Sequence, residues 1–305
     1  MTTLKRIFAL AFALAAAAGC TPRYANNAER IVAEMNDPSS RYVIVVAHRG
    51  DWRNYPENSI AAIESVIRMG ADMVELDVKM TRDSVLVLSH DKTVDRTTTG
   101  KGLISEMTLD SLRKFNLRYA HGIRSPYDHM PTLKEALEVC KDRIMVNVDQ
   151  GYDYYDQVLA ITEELGVTGQ VLIKGKRPME EVEAVLAAHP HNMMYMPITE
   201  VWKESGAELF EQYMSSGSAP IAYEMSFPEL DAEAYEYCRR VIDSGSKVWM
   251  NTLWPEICGG CDDRKAYDDT SPDAAYGALL DLGSSIIQTD RPALLIKYLK
   301  RKGRR

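Results

Sequence analysis

From Tyr42 to the end of the chain, short apolar runs rich in β-branched residues alternate with stretches of helical period. The runs are YVIVVAH, DMVELDV, VLVLSH, RIMVNVD, QVLIKG, NMMYMPI, IAYEMSF, KVWMNT and SIIQTD. Between them lie SIAAIESVIRMG, TLKEALEVCK, YDQVLAITEELG and MEEVEAVLAAH, in which apolar residues recur at three and four positions. Gly70, Gly166 and Gly283 stand where helix C-caps fall. Repeated strand–helix units imply a parallel sheet covered on both faces, and at 305 residues a closed (β/α)8 barrel is the leading architecture. Nine runs compete for eight places, and the link from Asp77 to Val85 is too short for a crossover helix, so the barrel is expected to be distorted. The alternative, an open doubly wound sheet, lacks its glycine-rich phosphate loop after the first strand.

The N-terminus reads differently. Lys5 and Arg6 precede IFALAFALAAAAGC, a run too short to span a membrane comfortably but suited to a secretory signal. Its end, AAGC, resembles a bacterial lipoprotein cleavage site. The expected division is a signal peptide over 1–19, a lipid-bearing Cys20, a polar tether over 20–40, a barrel domain over 41–300 and a solvated basic tail over 301–305. The expectation is an exported lipoprotein held at a membrane through its N-terminal anchor, periplasmic or cell-surface. The formal charge of −8 argues against nucleic acid as the main partner, because phosphate-backbone binding is driven by clustered Lys and Arg. Cys140, Cys238, Cys258 and Cys261 remain, and CGGC at 258–261 is close enough to bridge, so a loop disulfide or free thiols are both open.

Polar residues punctuate the apolar runs. His48, Glu75, Asp77, His90, Asp149, Lys174, Asn251 and Asp290 sit at or near the ends of strand candidates, where barrel side chains share one mouth. Glu75 and Asp77 are two apart and face the same side of a strand. With Asp149 they offer an all-oxygen site suited to one divalent metal, Mg2+ or Ca2+. His48 and His90 are suited to acid–base work near neutral pH.

The ordered series AHRG, PENS, GADMVELDV, TRDSVLVLSHD, DRTTTGKG, MPTLKEAL and IIQTDRPALL, from about Val43 to Leu299, resembles the glycerophosphodiester phosphodiesterase family. VWMNTLW is similar to that family's late strand. The resemblance implies a distorted barrel of the phospholipase-C-like phosphodiesterase type, and metal-dependent hydrolysis of a small glycerophosphodiester to glycerol 3-phosphate and an alcohol. It implies His48 and His90 as the acid–base pair, with His48 the base of the first step. Glu75, Asp77 and Asp149 would hold the metal, and Arg49 the phosphate. The attacking group would be the neighbouring glycerol hydroxyl, giving a cyclic phosphate that water opens. Trp249 is expected to wall the phosphodiester and Asn251 to reach a substrate hydroxyl. Glu57 and Asn58 either orient Arg49 or a histidine, or cap the helix beginning at Ser59. Asp91 and Arg96 are read as a structural polar network, and Asp290 as a support or helix cap. His121 and His129 belong to the surface or the substrate's edge, in a small insertion over 92–131.

The sequence departs from the family in one place. The family's Glu-x-Lys on the fourth strand is here NVDQG, with Asp149 at the carboxylate position and Gly151 at the lysine's. Lys174, at the end of the next strand candidate, is expected to supply the missing charge. Loops at 115–130, 197–210 and 252–270 are expected to read the alcohol. Two other readings compete: a sphingomyelinase D-like lyase that stops at the cyclic phosphate, with the loop around Trp254 as a candidate lipid contact, and a non-catalytic phosphodiester-binding lipoprotein.

Overall fold

The computed structural model describes residues 24–305 except 127, 218, 269 and 270. The expected signal peptide and Cys20 lie outside the described residues. The strands are β1 (Ile44–His48), β2 (Met73–Met80), β3 (Leu86–Leu88), β4 (Met145–Asp149), β5 (Val171–Gly175), β6 (Met194–Thr199), β7 (Ala222–Met225), β8 (Lys247–Asn251) and β9 (Ser284–Thr289). All but β3 run parallel around a ring that closes where β1 pairs with both β2 and β9. The surplus ninth run is β3, which turns back through Thr81–Val85 and pairs antiparallel with the end of β2, Lys79 opposite Val87. The short link after Asp77 is therefore a hairpin outside the ring, and no crossover is needed.

Local chemistry sets each unit. Helix α2 (Ile60–Met69) starts at Ser59, whose hydroxyl accepts from the Ala62 N–H at 3.1 Å, and ends at Gly70 in the left-handed region. It buries Ile63 and Val66 completely, each worth about 1.5–3 kcal/mol. The helix Leu133–Cys140 begins with a reciprocal capping box between Thr132 and Glu135. Strand parity then sorts the core. Val74, Leu76, Val78, Val146, Val148 and Ile173 face the helices, while Met73, Met145, Leu172, Met196, Trp249 and Ile286 fill the ring.

Two N- and C-terminal expectations are corrected. The stretch taken as a tether contains a helix, α1 (Asn27–Asn36), capped by Asn26. Its Ile31 and Met35 are buried against Ile44, Val46, Met73 and Met145, at the start of the strands, so it closes the floor of the barrel. The basic tail is exposed over Arg301, Lys302 and Gly303, but its end is docked. The Val43 N–H donates to the Arg304 carbonyl at 3.0 Å, and Arg305 pairs with Asp72, a fully buried carboxylate that also receives Arg30 at 3.2 Å and the Tyr42 hydroxyl at 2.6 Å. Removing one partner of such a charge is destabilising even with others left. Arg305→Ala is expected to lower the unfolding free energy by about 1–3 kcal/mol in a urea titration while leaving any turnover intact. Cys140, Cys238, Cys258 and Cys261 are buried free thiols, so the 258–261 bridge is not formed. Among the described residues no helix is long and apolar enough to cross a membrane.

Candidate active site

The site forms where β1, β2 and β4 end. After His48 the chain turns through Arg49 and Gly50, both with positive φ, of 53° and 74°. A Cβ at position 50 would lie 2.8 Å from that of Ala62, so only glycine passes here. A strained arginine is a cost that a functional turn tolerates. Its result is that the Arg49 N–H points at Glu75, donating to Oε2 at 2.9 Å. Glu75 and Asp77 face inward from β2, and the pairing of β2 with β4 sets Asp149 beside Asp77. Oxygens of Glu75, Asp77 and Asp149 lie within 4.8 Å of one another. Burial, then the charges of Asp77 and Asp149, push the Glu75 carboxyl well above its usual range, against the pull of Lys174. Three crowded carboxylates with only oxygen to offer fit a hard divalent cation.

Each histidine leans on its own carboxylate. His48 Nδ1 lies 2.8 Å from Asp290 Oδ1, which also accepts from the Trp52 indole at 2.6 Å. Burial would raise Asp290, but His48 and Trp52 outweigh it and hold the carboxyl below its usual range. The Asp290 N–H in turn donates to the buried Asp263 at 2.7 Å, so Asp290 supports His48 and is itself fixed. His48 Nε2 faces the acidic trio, 4.0 Å from Glu75 Oε2. His90, more exposed, has Nδ1 at 2.8 Å from Asp91 Oδ1. Arg96 holds Asp91, and together with His90 keeps its carboxyl at about 2. Arg96 also makes a two-pronged contact with Glu57, which accepts from Arg49 Nη1 at 3.2 Å, while Arg49 Nε lies 3.3 Å from Asp77 Oδ2. One relay of alternating charge thus runs from His90 to the acidic trio. Asn58 brackets Asp77, donating to Oδ2 at 2.9 Å and accepting from its N–H at 3.1 Å. The helix cap belongs to Ser59, so Glu57 and Asn58 are orienting residues here.

Several expected contacts are corrected. Trp249 is fully buried in the ring, one layer beneath the mouth, and its indole N–H donates to Asn251 Oδ1 at 2.7 Å. It cannot wall a substrate. Asn251 donates to Glu224 Oε1 at 2.9 Å, so its amide is engaged in the interior and not offered to a hydroxyl. Lys174 is buried and already paired with Glu224 Oε2 at 2.8 Å. Burial alone would lower its pKa, yet Glu224, Asp149 and Glu75 hold it raised. Its charge is thus spent inside the barrel. A side chain at Gly151 would meet Val148 at 2.8 Å and Ile173 at 3.3 Å, both in the sheet–helix layer, so the lysine's seat does not open on the mouth. Among the described residues, His121 and His129 bond to local backbone on the insertion, at Ile123 and Phe115.

Glu224 and Lys79 have no role in the sequence-based expectations, and Trp254 figures there only as a candidate lipid contact. Glu224 is the carboxylate that neutralises Lys174. Trp254 is the exposed tryptophan of the mouth, set edge-on to His48 with ring centroids 6.2 Å apart. Lys79 continues the alternation of Glu75 and Asp77 and is buried beside them; the period of two was its signal. A cleft of about 360 Å³ opens above, walled by His48, Arg49, Trp52, Arg118, Tyr119 and Trp254. The 92–131 insertion, with a small core of its own around Val94, Ile104, Leu112 and Leu117, forms one side.

Comparison with known proteins divides the chain in two. A family model described as the glycerophosphoryl diester phosphodiesterase family matches residues 48–171. A second, described only as a domain of unknown function, matches residues 195–299. The resemblance read from Val43 to Leu299 is thus carried in sequence by the first half. The chain is similar to a glycerophosphodiester phosphodiesterase of Caldanaerobacter subterraneus, 43% identical over 107 residues, 35% of this chain and 44% of that protein. The chain therefore spans less than half the length of that curated relative. In fold it is similar to a glycerophosphoryl diester phosphodiesterase from Parabacteroides distasonis, with a TM-score of 0.76, 23% identity and coverage of 92% of this chain and 93% of the other. It is also similar to an Oleispira antarctica phosphodiesterase in complex with the product sn-glycerol-3-phosphate, with a TM-score of 0.64, 19% identity and coverage of 84% and 96%. These structural likenesses show the barrel fold across both halves.

Proposed function

We propose, from the premise that this chain belongs through residues 48–171 to the glycerophosphoryl diester phosphodiesterase family, that it hydrolyses small glycerophosphodiesters to glycerol 3-phosphate and an alcohol. The observation that carries the reading is the pair of histidines, each bonded through Nδ1 to its own carboxylate, with His48 beside the acidic trio and His90 linked to it through Asp91, Arg96, Glu57 and Arg49. A binding protein needs phosphate contacts but has little use for two oriented imidazoles. The product seen in the Oleispira antarctica relative supports the same substrate class.

A divalent cation held by Glu75, Asp77 and Asp149 would stabilise the charge that grows on the phosphoryl oxygens. Arg49, braced by Glu57 and Asp77, presents a guanidinium to those oxygens. With Nδ1 donating to Asp290, neutral His48 keeps its lone pair on Nε2 and takes the proton of the attacking hydroxyl. His90, its Nδ1 held by Asp91, delivers a proton from Nε2 to the leaving alkoxide. When the glycerol hydroxyl attacks, a cyclic phosphate forms. The two histidines then exchange roles as water opens it.

The test is release of sn-glycerol 3-phosphate by the full chain from the choline, ethanolamine, inositol and glycerol diesters, with Mg2+, with Ca2+ and with EDTA. Metal-dependent release is expected. A cyclic phosphate without glycerol 3-phosphate would make the protein a lyase, and no turnover on any diester would leave a binder. Export and lipid attachment at Cys20 belong to the same proposal, supported by the apolar run ending in AAGC. They are checked by fatty-acid labelling that disappears in Cys20→Ala.

A further inference from the structure

We propose that Lys79 supplies the phosphate-facing cation that the fourth strand lacks, and that it is a further catalytic residue of the site. The inference takes its substrate from the hydrolase reading and its residue from independent geometry. Lys79 is the third inward residue of β2, after Glu75 and Asp77, and is only 9% exposed. Its ammonium donates to the Val78 carbonyl at 3.2 Å and to the side-chain carbonyl of Gln150. An ammonium has three N–H donors, and the third has no protein acceptor among the described residues. No carboxylate among them lies within the 4.0 Å of an ion pair with it.

The other cations deep in the mouth are committed. Arg49 faces Glu57 and Asp77, Arg96 faces Glu57 and Asp91, and Lys174 faces Glu224. Arg118, on the cleft wall, is tied to the carbonyls of Thr98 and Gly122 on the insertion. Lys79 differs from Arg49, Arg96 and Lys174 in having no carboxylate partner among the described residues, with a donor still to spare. Burying a charge without a counter-charge is costly unless a ligand completes it. A phosphate oxygen shared with the metal-binding trio would do so.

Gln150 ties the two departures together. Its backbone adopts φ 61°, which ends β4 at Asp149 and turns position 151 away from the mouth into the sheet–helix layer. The same turn sends its side-chain amide back to Lys79. The bend that removes a lysine from strand four thus steadies another on strand two.

The experiment compares wild type, Lys79→Met and Lys79→Arg in three readouts. These are turnover of the diester panel, calorimetric binding of sn-glycerol 3-phosphate in Mg2+, and calorimetric binding of Mg2+ alone, with thermal melts confirming the fold. Lys79→Met is expected to lower kcat/KM by roughly 10²–10³-fold, as loss of one preorganised donor to a developing anion does. It should weaken glycerol 3-phosphate by about tenfold or more while Mg2+ binds as tightly as before or tighter, because a neighbouring positive charge has gone. Lys79→Arg should recover part of both losses. Phosphate affinity and turnover equal to wild type would overturn the assignment, and so would phosphate binding that weakens only in step with lost Mg2+. If wild type turns over no diester yet binds glycerol 3-phosphate, and Lys79→Met loses that binding, the hydrolase reading fails and Lys79 stands. Failure of wild type to bind glycerol 3-phosphate overturns Lys79 as well.

Discussion

His48→Ala is expected to lower kcat by roughly 10²–10⁴-fold without unfolding the protein, the span that a positioned general base contributes. Its ring packs against Trp254 and the acidic trio at the open end of the barrel, so its loss removes little of the apolar core. Asp290→Asn separates orientation from charge. One carboxylate oxygen, Oδ1, receives both His48 and the Trp52 indole, and an asparagine keeps an oxygen for that pair. What disappears is the negative charge that stabilises the imidazolium once His48 has taken its proton. The expected loss is therefore no larger than that of His48→Ala, up to roughly 10⁴-fold in kcat. Asp290 acts through His48, so the double variant should be no slower than His48→Ala alone. An additive double variant would show that Asp290 has a separate task. Rates at pH 7 on one diester, with melting curves beside them, decide the point.

Stripped of divalent cations, the protein is expected to lose stability as pH rises above the ordinary range of a glutamate. Burial and the neighbouring charges of Asp77 and Asp149 raise Glu75 well above its reference value of 4.5. Above that pH the unfolded chain has released a proton that the folded protein still holds. The folded state then binds more protons, and stability falls until the folded group also titrates. A cation that binds only the folded carboxylates reverses this, by about 2.7 kcal/mol at a hundredfold excess over its Kd. At roughly 2–4 °C per kcal/mol for a chain of this size, the gain is on the order of 5–10 °C in Tm. Glu75→Gln keeps an acceptor for the Arg49 N–H but removes one of the crowded charges. It should melt higher than the stripped wild type at pH 8, show little pH slope and gain nothing from Mg2+ or Ca2+. Melting curves from pH 4 to pH 8, with EDTA and with each cation, test this. A flat wild-type profile would mean that the three carboxylates do not repel as their spacing requires.

Much of this arrangement was readable from parity and period. Alternation within DMVELDV put Glu75 and Asp77 on one face, and the strand–helix rhythm placed that face in a barrel mouth. The errors have physical causes. Parity tells which face a residue takes but not its depth, so Trp249 was set at the mouth although it lies one layer below, in register between Glu224 and Ile286. The same rule carried two residues further would have found Lys79. Helix α1 showed its period in Ala28, Ile31 and Met35 and its cap in Asn26, but the polar residues between them passed for a tether. Asp72 lies 233 positions from Arg305, and no local pattern announces a partner at that distance. Lys174 looked available because its counter-charge, Glu224, arrives from a strand 50 residues away.

The helix at the floor also gives the molecule a front and a back. The described chain enters at the back, where α1 covers the starts of the strands, and the histidines and acidic trio stand at the front. From position 20 to the cap at Asn26, a fully extended chain reaches at most roughly 20 Å. An attachment at Cys20 would therefore hold the barrel close against its support with its back to it. Phosphodiesters in that same bilayer would lie behind the protein, out of the cleft's view. The molecules it meets would be those drifting free in the surrounding water, and its catch would follow the supply of dissolved head-group diesters rather than the composition of the leaflet beneath it.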